Sequence, residues 1–224
     1  MSFTETPPLH ASPFPAKPAD TSVPILDPIA NRWSPSRFDD SREVEWEDLL
    51  AILEAARWAP SSFGEQPWRF IVGRRRDLHR EVMDSALSSG NAYARRAGVL
   101  IATLAKTTYT RNGRPNRHAT HDTGLATANL LLEATSRGLV THPIGGFDPQ
   151  VLREAFDIPE DYVPVAMVAV GHHDPSLEEE RLMAREDRPR RRRPLEQTVF
   201  GTSFGSPLTP SGSHIPRMEP DEGG

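Results

Sequence analysis

Residues Val99 to Ala105 read VLIATLA, a run with no charged residue and with apolar or small side chains on both sides of an extended backbone. A strand with one wet face alternates apolar and polar residues, whereas one covered on both faces does not. The run therefore demands a central strand with packed layers above and below it. Val163 to Gly171, VPVAMVAVG, makes the same demand. The covering helices are also legible. Trp46, Leu49, Leu50 and Leu53 fall at helical spacing among the helix formers Ala51, Ala55 and Ala56, and Pro60 stops that helix. Ser61, Ser62, Phe63 and Gly64 form a loop, and Phe70, Ile71 and Val72 start another strand. A loop clamped between a helix and a core strand can offer its backbone N–H groups and its Ser and Gln side chains to a polar ligand.

The rest of the chain follows the same logic. Val23, Ile25, Leu26 and Ile29 predict a short first helix, and Leu78, Val82, Met83 and Ala86 an amphipathic one. Thr120 to Arg137 is the longest helix, with Leu125, Leu130, Leu131 and Leu132 on more than one side and Gly124, Ala126, Ala128 and Ala134 keeping it thin. Such a helix is expected to be buried, against a second copy of the chain. Gly138 is its expected cap. Val140 to Asp148 is a short strand running into a glycine turn, and Pro149 to Phe156 a brief helix. Residues 1–23 form a proline-rich flexible arm, 24–204 one domain and 205–224 a disordered tail. Helices alternating with core strands give an α+β or α/β sandwich, with strand order left open.

Composition excludes several functions. A net charge of −5 argues against nucleic-acid binding. The absence of cysteine removes thiolate nucleophiles, disulfides and thiolate-held metals, and it suits a cytoplasmic protein. The mean hydropathy of −0.53 reflects polar ends around an ordinary middle. The sequence shows neither a membrane span nor a signal peptide. Ser61 and Ser62 lack the G-x-S-x-G setting of a hydrolase nucleophile, and Gly145-Gly146 is no dinucleotide fingerprint. His118, His121 and Asp122 read better as a polar loop meeting a helix than as a metal site, so no metal is assigned. Tyr109 and Phe147 are candidates for shaping a substrate pocket.

Six segments, in order, resemble the nitroreductase family of FMN-dependent oxidoreductases: Arg32-Trp33-Ser34; Ala59-Pro60-Ser61-Ser62; Gln66-Pro67-Trp68-Arg69-Phe70; Asp122-x-Gly124; Gly145-Gly146-Phe147-Asp148; and Arg190-x-Arg192-Arg193-Pro194-Leu195. The resemblance implies an α+β fold with a mixed central sheet flanked by helices. It also implies an intertwined homodimer with FMN at its interface. Arg32, Arg190 and Arg192 would hold the phosphate, beside Trp33 and Ser34. Pro143, Ile144, Gly145 and Gly146 would bring backbone to the flavin N5, and Ser61, Ser62, Gly64 and Gln66 would touch the ring. Hydride would pass from NAD(P)H through N5 to an electron-poor small molecule, a nitroaromatic or quinone, by ping-pong. The cofactor carries that chemistry, so no catalytic side chain is assigned. Two positions depart from the family pattern. Ser36 stands where it usually has Lys or Arg, and Gly64 where it usually has Asn. Each departure removes a hydrogen bond worth about 1 kcal/mol net, and Arg37, one position on, is the candidate to replace the charge. These departures leave a second reading open, a flavin carrier or sensor without turnover. A third is a different flavin chemistry on the same fold, such as reductive dehalogenation.

Overall fold

A computed structural model describes residues 17–209; the rest of the expected arm (1–16) and tail (210–224) lie outside the described residues. The described chain divides into a large unit ending at Pro189 and a small one beginning at Arg190.

The large unit is built on four strands: β1 (Trp68–Arg74), β2 (Val99–Lys106), β3 (Val140–Ile144) and β4 (Tyr162–Gly171). Their order is β1-β2-β4-β3, and every pair is antiparallel, so the mixed sheet that the resemblance implies is not what the described residues form. The two runs without alternation, β2 and β4, are the inner strands. On β2, Leu100, Ala102 and Leu104 enter one apolar cluster, while Val99 and Ile101 enter the other. This is the period-two alternation of a strand with protein on both faces.

Two positions show how the sheet accommodates proline. Pro164 lies within inner strand β4, where its missing N–H would break a ladder bond. The register slips there, between Thr103 and Leu104. The Thr103 hydroxyl bridges the slip, donating to the Ala166 carbonyl and accepting from the Ala166 N–H, both at 3.1 Å. Pro143 lies on β3, an edge strand, where proline is tolerated.

Helices cover both faces. α2 (Trp46–Arg57) and α4 (Ala119–Ser136) pack on one face; α3 (Arg80–Ala86), a 3-10 segment (Ser89–Arg96) and α5 (Pro149–Ala155) pack on the other. α1 (Asp27–Asn31) and α6 (Glu180–Glu186) complete the large unit. α4 ends as expected. Gly138 takes φ +74°, its N–H bonds the Thr135 carbonyl, and the Leu139 N–H bonds the Ala134 carbonyl. That pair of bonds satisfies carbonyls the helix would otherwise leave open.

The inward face of α2 differs from the expected stripe. Leu49, Ile52 and Ala56 are buried, whereas Trp46 and Leu50 are exposed. Apolar residues lie on two sides of this helix, and packing against Ala126, Leu130 and Ala134 of α4 selects one of them. α4 itself buries one side; Gly124 and Ala128 face outward. Among the described residues no helix is long and apolar enough to cross a membrane.

Candidate functional site

The sequence-predicted residues of the large unit fall into two groups with separate partners. The first joins Arg32–Arg37 to the end of β3. Here the chain leaves α1 through Arg32, whose backbone is extended, and Pro35 biases Ser34 the same way. Trp33 and Ser36 are buried. Arg32 Nη1 donates to Ser34 Oγ at 3.2 Å. Trp33 meets the His173 ring edge-on, with centroids 5.9 Å apart, and Lys17 Nζ stands 5.1 Å over the indole.

Glu186, the last residue of α6, holds this segment. Its Oε1 accepts from the N–H groups of Ser36 (2.6 Å) and Arg37 (2.8 Å). Its Oε2 accepts from Arg37 Nε (2.8 Å) and His173 Nε2 (3.0 Å). Burial pushes this carboxyl up, but the bonds from His173, Arg37 and the two backbone N–H groups outweigh it and hold the pKa at about 2. A carboxylate can only accept, so His173 carries its proton on Nε2. The other ring nitrogen is buried and has no hydrogen-bond partner among the described residues. Arg37 is thereby committed: it bonds Glu186 and, through Nη1, the Pro175 carbonyl at 3.0 Å.

His142 ties the same segment to β3. Its Nδ1–H donates to the Pro35 carbonyl (2.7 Å), and its Nε2 accepts from the Tyr93 hydroxyl (2.9 Å). The carbonyl cannot donate, so this tautomer is fixed. Burial lowers the His142 pKa; the Pro35 carbonyl opposes this, and the charges of Arg185 and Arg32 reinforce it. Pro143 and Ile144 follow on the edge strand, and Gly145 and Gly146 are exposed. The Gly146 carbonyl is pinned by the Ser88 N–H (3.1 Å) and Asn91 Nδ2 (2.9 Å), and a Cβ there would lie 2.6 Å from Asn91 Nδ2. At Gly145 a Cβ would meet nothing within 4 Å, so a flat ring can approach the backbone.

The second group is the loop between α2 and β1. Phe63 (φ +55°), Gly64 (+65°) and Gln66 (+50°) all take left-handed backbone, which glycine adopts freely and the other two do not. Asp122, buried in the first turn of α4, accepts from the Ser62 N–H through Oδ2 (2.8 Å) and from His121 Nδ1 through Oδ1 (2.9 Å). Ser61 Oγ accepts from the Gln66 N–H at 3.0 Å. Ser62 Oγ lies 3.3 Å from the Tyr109 hydroxyl, and the Glu65 carboxylate accepts from the Thr110 N–H at 2.7 Å.

The remaining predicted residues, Arg190 and Arg192, open the small unit. Arg192 is exposed and donates to the Arg191 carbonyl at 2.9 Å. Burial, then the like charge of Arg192, lowers the Arg190 pKa.

An antiparallel sheet with helices on both faces defines an α+β domain, with an exposed glycine turn after β3 and an arginine-bearing segment tied to that strand by His142. The chain belongs to the nitroreductase family: the model described as "Nitroreductase family" matches residues 29–104 and 89–172. Among relatives, an uncharacterized 15.4 kDa protein in ask 5'region of Mycolicibacterium smegmatis is 40% identical over 149 residues, which is 62% of this chain and 99% of that protein. The oxygen-insensitive NAD(P)H nitroreductase of Salmonella typhimurium is 27% identical over 218 residues, 78% of this chain and 98% of that one. The crystal structure described as an oxidoreductase containing FMN aligns with a TM-score of 0.79 at 29% identity, over 86% of this chain and 99% of that chain.

The residues present fit FMN. Arg32 and Ser34 offer donors of the right type for a phosphate, and Gly145 leaves room for a ring. Glu186, His142 and His173 carry no functional signal in the sequence, and Asp122 is legible there only as part of a motif.

Proposed function

We propose that this chain is an FMN-dependent oxidoreductase that moves electrons from NAD(P)H to an electron-poor small molecule, working as a cytoplasmic homodimer. The observation that carries this is the first group: one extended segment bearing Arg32 and Ser34, fastened by His142 and Glu186 beside the open turn at Gly145. The names of its relatives, an NAD(P)H nitroreductase and an FMN-containing oxidoreductase, support the same chemistry. Bound FMN would supply the redox step, accepting a hydride from the nicotinamide and returning it to the acceptor.

The chain's own part is binding and orientation. Arg32 and Ser34 hold phosphate oxygens. The Ile144–Gly146 backbone lines the ring, and Ser61, Ser62, Gly64 and Gln66 supply the opposing wall. The resemblance to the family supports a site completed across a dimer. The outward Trp46 and Leu50 of α2 and Gly124 and Ala128 of α4 suit its interface.

Purified protein is expected to be yellow, to sediment as a dimer and to lose its flavin absorbance anaerobically on addition of NADH or NADPH. Colourless protein that takes up no added FMN overturns the reading. Flavin carriage without turnover is favoured by one observation: Arg37 is spent on Glu186 and Pro175, so it brings no charge to the ring. Steady NAD(P)H oxidation with any acceptor dismisses that alternative.

A further inference from the structure

The loop between α2 and β1 carries a feature that cofactor binding leaves unused. Phe63 sits in left-handed backbone at φ +55°, yet its ring is 78% exposed. Strain in a non-glycine residue persists only where its surroundings impose it, and burial of the ring gives nothing back here. The surroundings are the anchors on either side: Ser62 on Asp122, and Glu65 on Thr110.

What Phe63 meets is Arg111. The guanidinium carbon lies 4.5 Å from the Phe63 centroid and 5.5 Å from that of Tyr109, and the two rings meet edge to face at 6.1 Å. Among the described residues Arg111 has no hydrogen bond and no ion pair. The Phe63 and Tyr109 rings lie against the guanidinium and the charge of Glu65 acts on it from nearby, while its N–H donors are unspent. Arg114 and Arg117, also exposed, add positive charge to the same loop.

We propose that Arg111, stacked on Phe63 and Tyr109, is a specificity-determining residue that receives the carboxylate of an anionic aromatic electron acceptor. A guanidinium edge matches a carboxylate with two parallel hydrogen bonds, and holding it against rings reduces the side-chain entropy lost on binding. The exposed Phe63 ring offers the acceptor's arene an apolar surface beside that fork. The chain thus prefers negatively charged nitroarenes or quinones to neutral ones of similar shape. This rests on the flavoenzyme reading above, because it places the Ser61–Gln66 loop at the ring.

The test compares 4-nitrobenzoate with 4-nitrobenzamide on FMN-loaded wild type, Arg111→Gln and Arg111→Lys. The kcat/KM ratio, benzoate over benzamide, should fall about tenfold in Arg111→Gln, as loss of a charged hydrogen-bond pair implies. Arg111→Lys, which keeps the charge without the fork, should recover part of it. Calorimetric titration of the oxidised proteins should show the same change in the ratio of dissociation constants, independent of turnover. An unchanged ratio overturns the proposal. So does a change confined to the KM for NADPH, or a shift of the dimer equilibrium in Arg111→Gln. Wild type that binds no FMN ends both readings; wild type that turns over both acceptors without using Arg111 ends only this one.

Discussion

The two walls of the candidate site achieve rigidity by opposite means. The Arg32–Arg37 segment is held from inside: a buried carboxylate accepts four hydrogen bonds, and a half-buried imidazole with a fixed tautomer makes two more. The Ser61–Gln66 loop is held at the surface, by left-handed backbone, one buried aspartate and ring contacts. A buried carboxylate that accepts four hydrogen bonds is expensive to disturb, which suits the wall proposed to seat a cofactor. A strained, exposed loop tolerates change around it, which suits the wall proposed to discriminate among acceptors.

Removing the inner carboxylate should break this contrast most severely. Glu186→Ala strands two backbone N–H groups, Arg37 and His173, and should cost about 3–5 kcal/mol in urea denaturation. Loss of FMN affinity should accompany it.

Acid should pick out the same group. The folded pKa of about 2 lies below the 4.5 of an ordinary glutamate, so the unfolded chain binds the extra proton and stability rises with pH across that interval. The stabilisation is present above about pH 5 and is lost as pH falls toward 2, by up to about 3 kcal/mol. A series of urea midpoints against pH should show this fall in wild type and a flatter profile in Glu186→Gln.

The surface wall should respond less. Asp122→Ala leaves the Ser62 N–H without its acceptor, for a cost of about 1–3 kcal/mol. Limited proteolysis should then cut near Phe63 before the fold is lost. Gly64→Ala should be mildest. A Cβ there has nothing within 4 Å, so the cost is conformational alone, about 1 kcal/mol by thermal denaturation. If Gly64→Ala proved as damaging as Glu186→Ala, the two walls would not differ in kind.

The same division governs what could be read from one dimension. β2 and β4 announced themselves because two-faced burial leaves no alternation, and Gly138 because a helix end needs left-handed backbone. The segments bearing Ser34, Ser62 and Gly145 were visible as motifs. Glu186 was not: it lies in a densely charged stretch, and nothing in its neighbours separates a buried acid from its exposed companions Glu178, Glu179 and Glu180. Its partner Ser36 is 150 residues away. The strain at Phe63 was hidden too, since local sequence favours such backbone in glycine and not in phenylalanine. Trp46 and Leu50 were placed inward because a helix with apolar residues on two sides carries no indication of which side its neighbour covers. The direction of pairing in the sheet is likewise decided by packing between segments far apart in sequence.

The long reach of Glu186 bears on how the molecule is made. The stretch around Ser36 leaves the ribosome early, but the residue that fastens it is translated near the end of the large unit. Until then the arginine-bearing strip must wait with its amides open to solvent, and closing so wide a loop is entropically slow. The Arg32–Arg37 segment is therefore expected to be among the last parts to set, and a chain truncated before Glu186 to keep the sheet while leaving that segment without its carboxylate anchor.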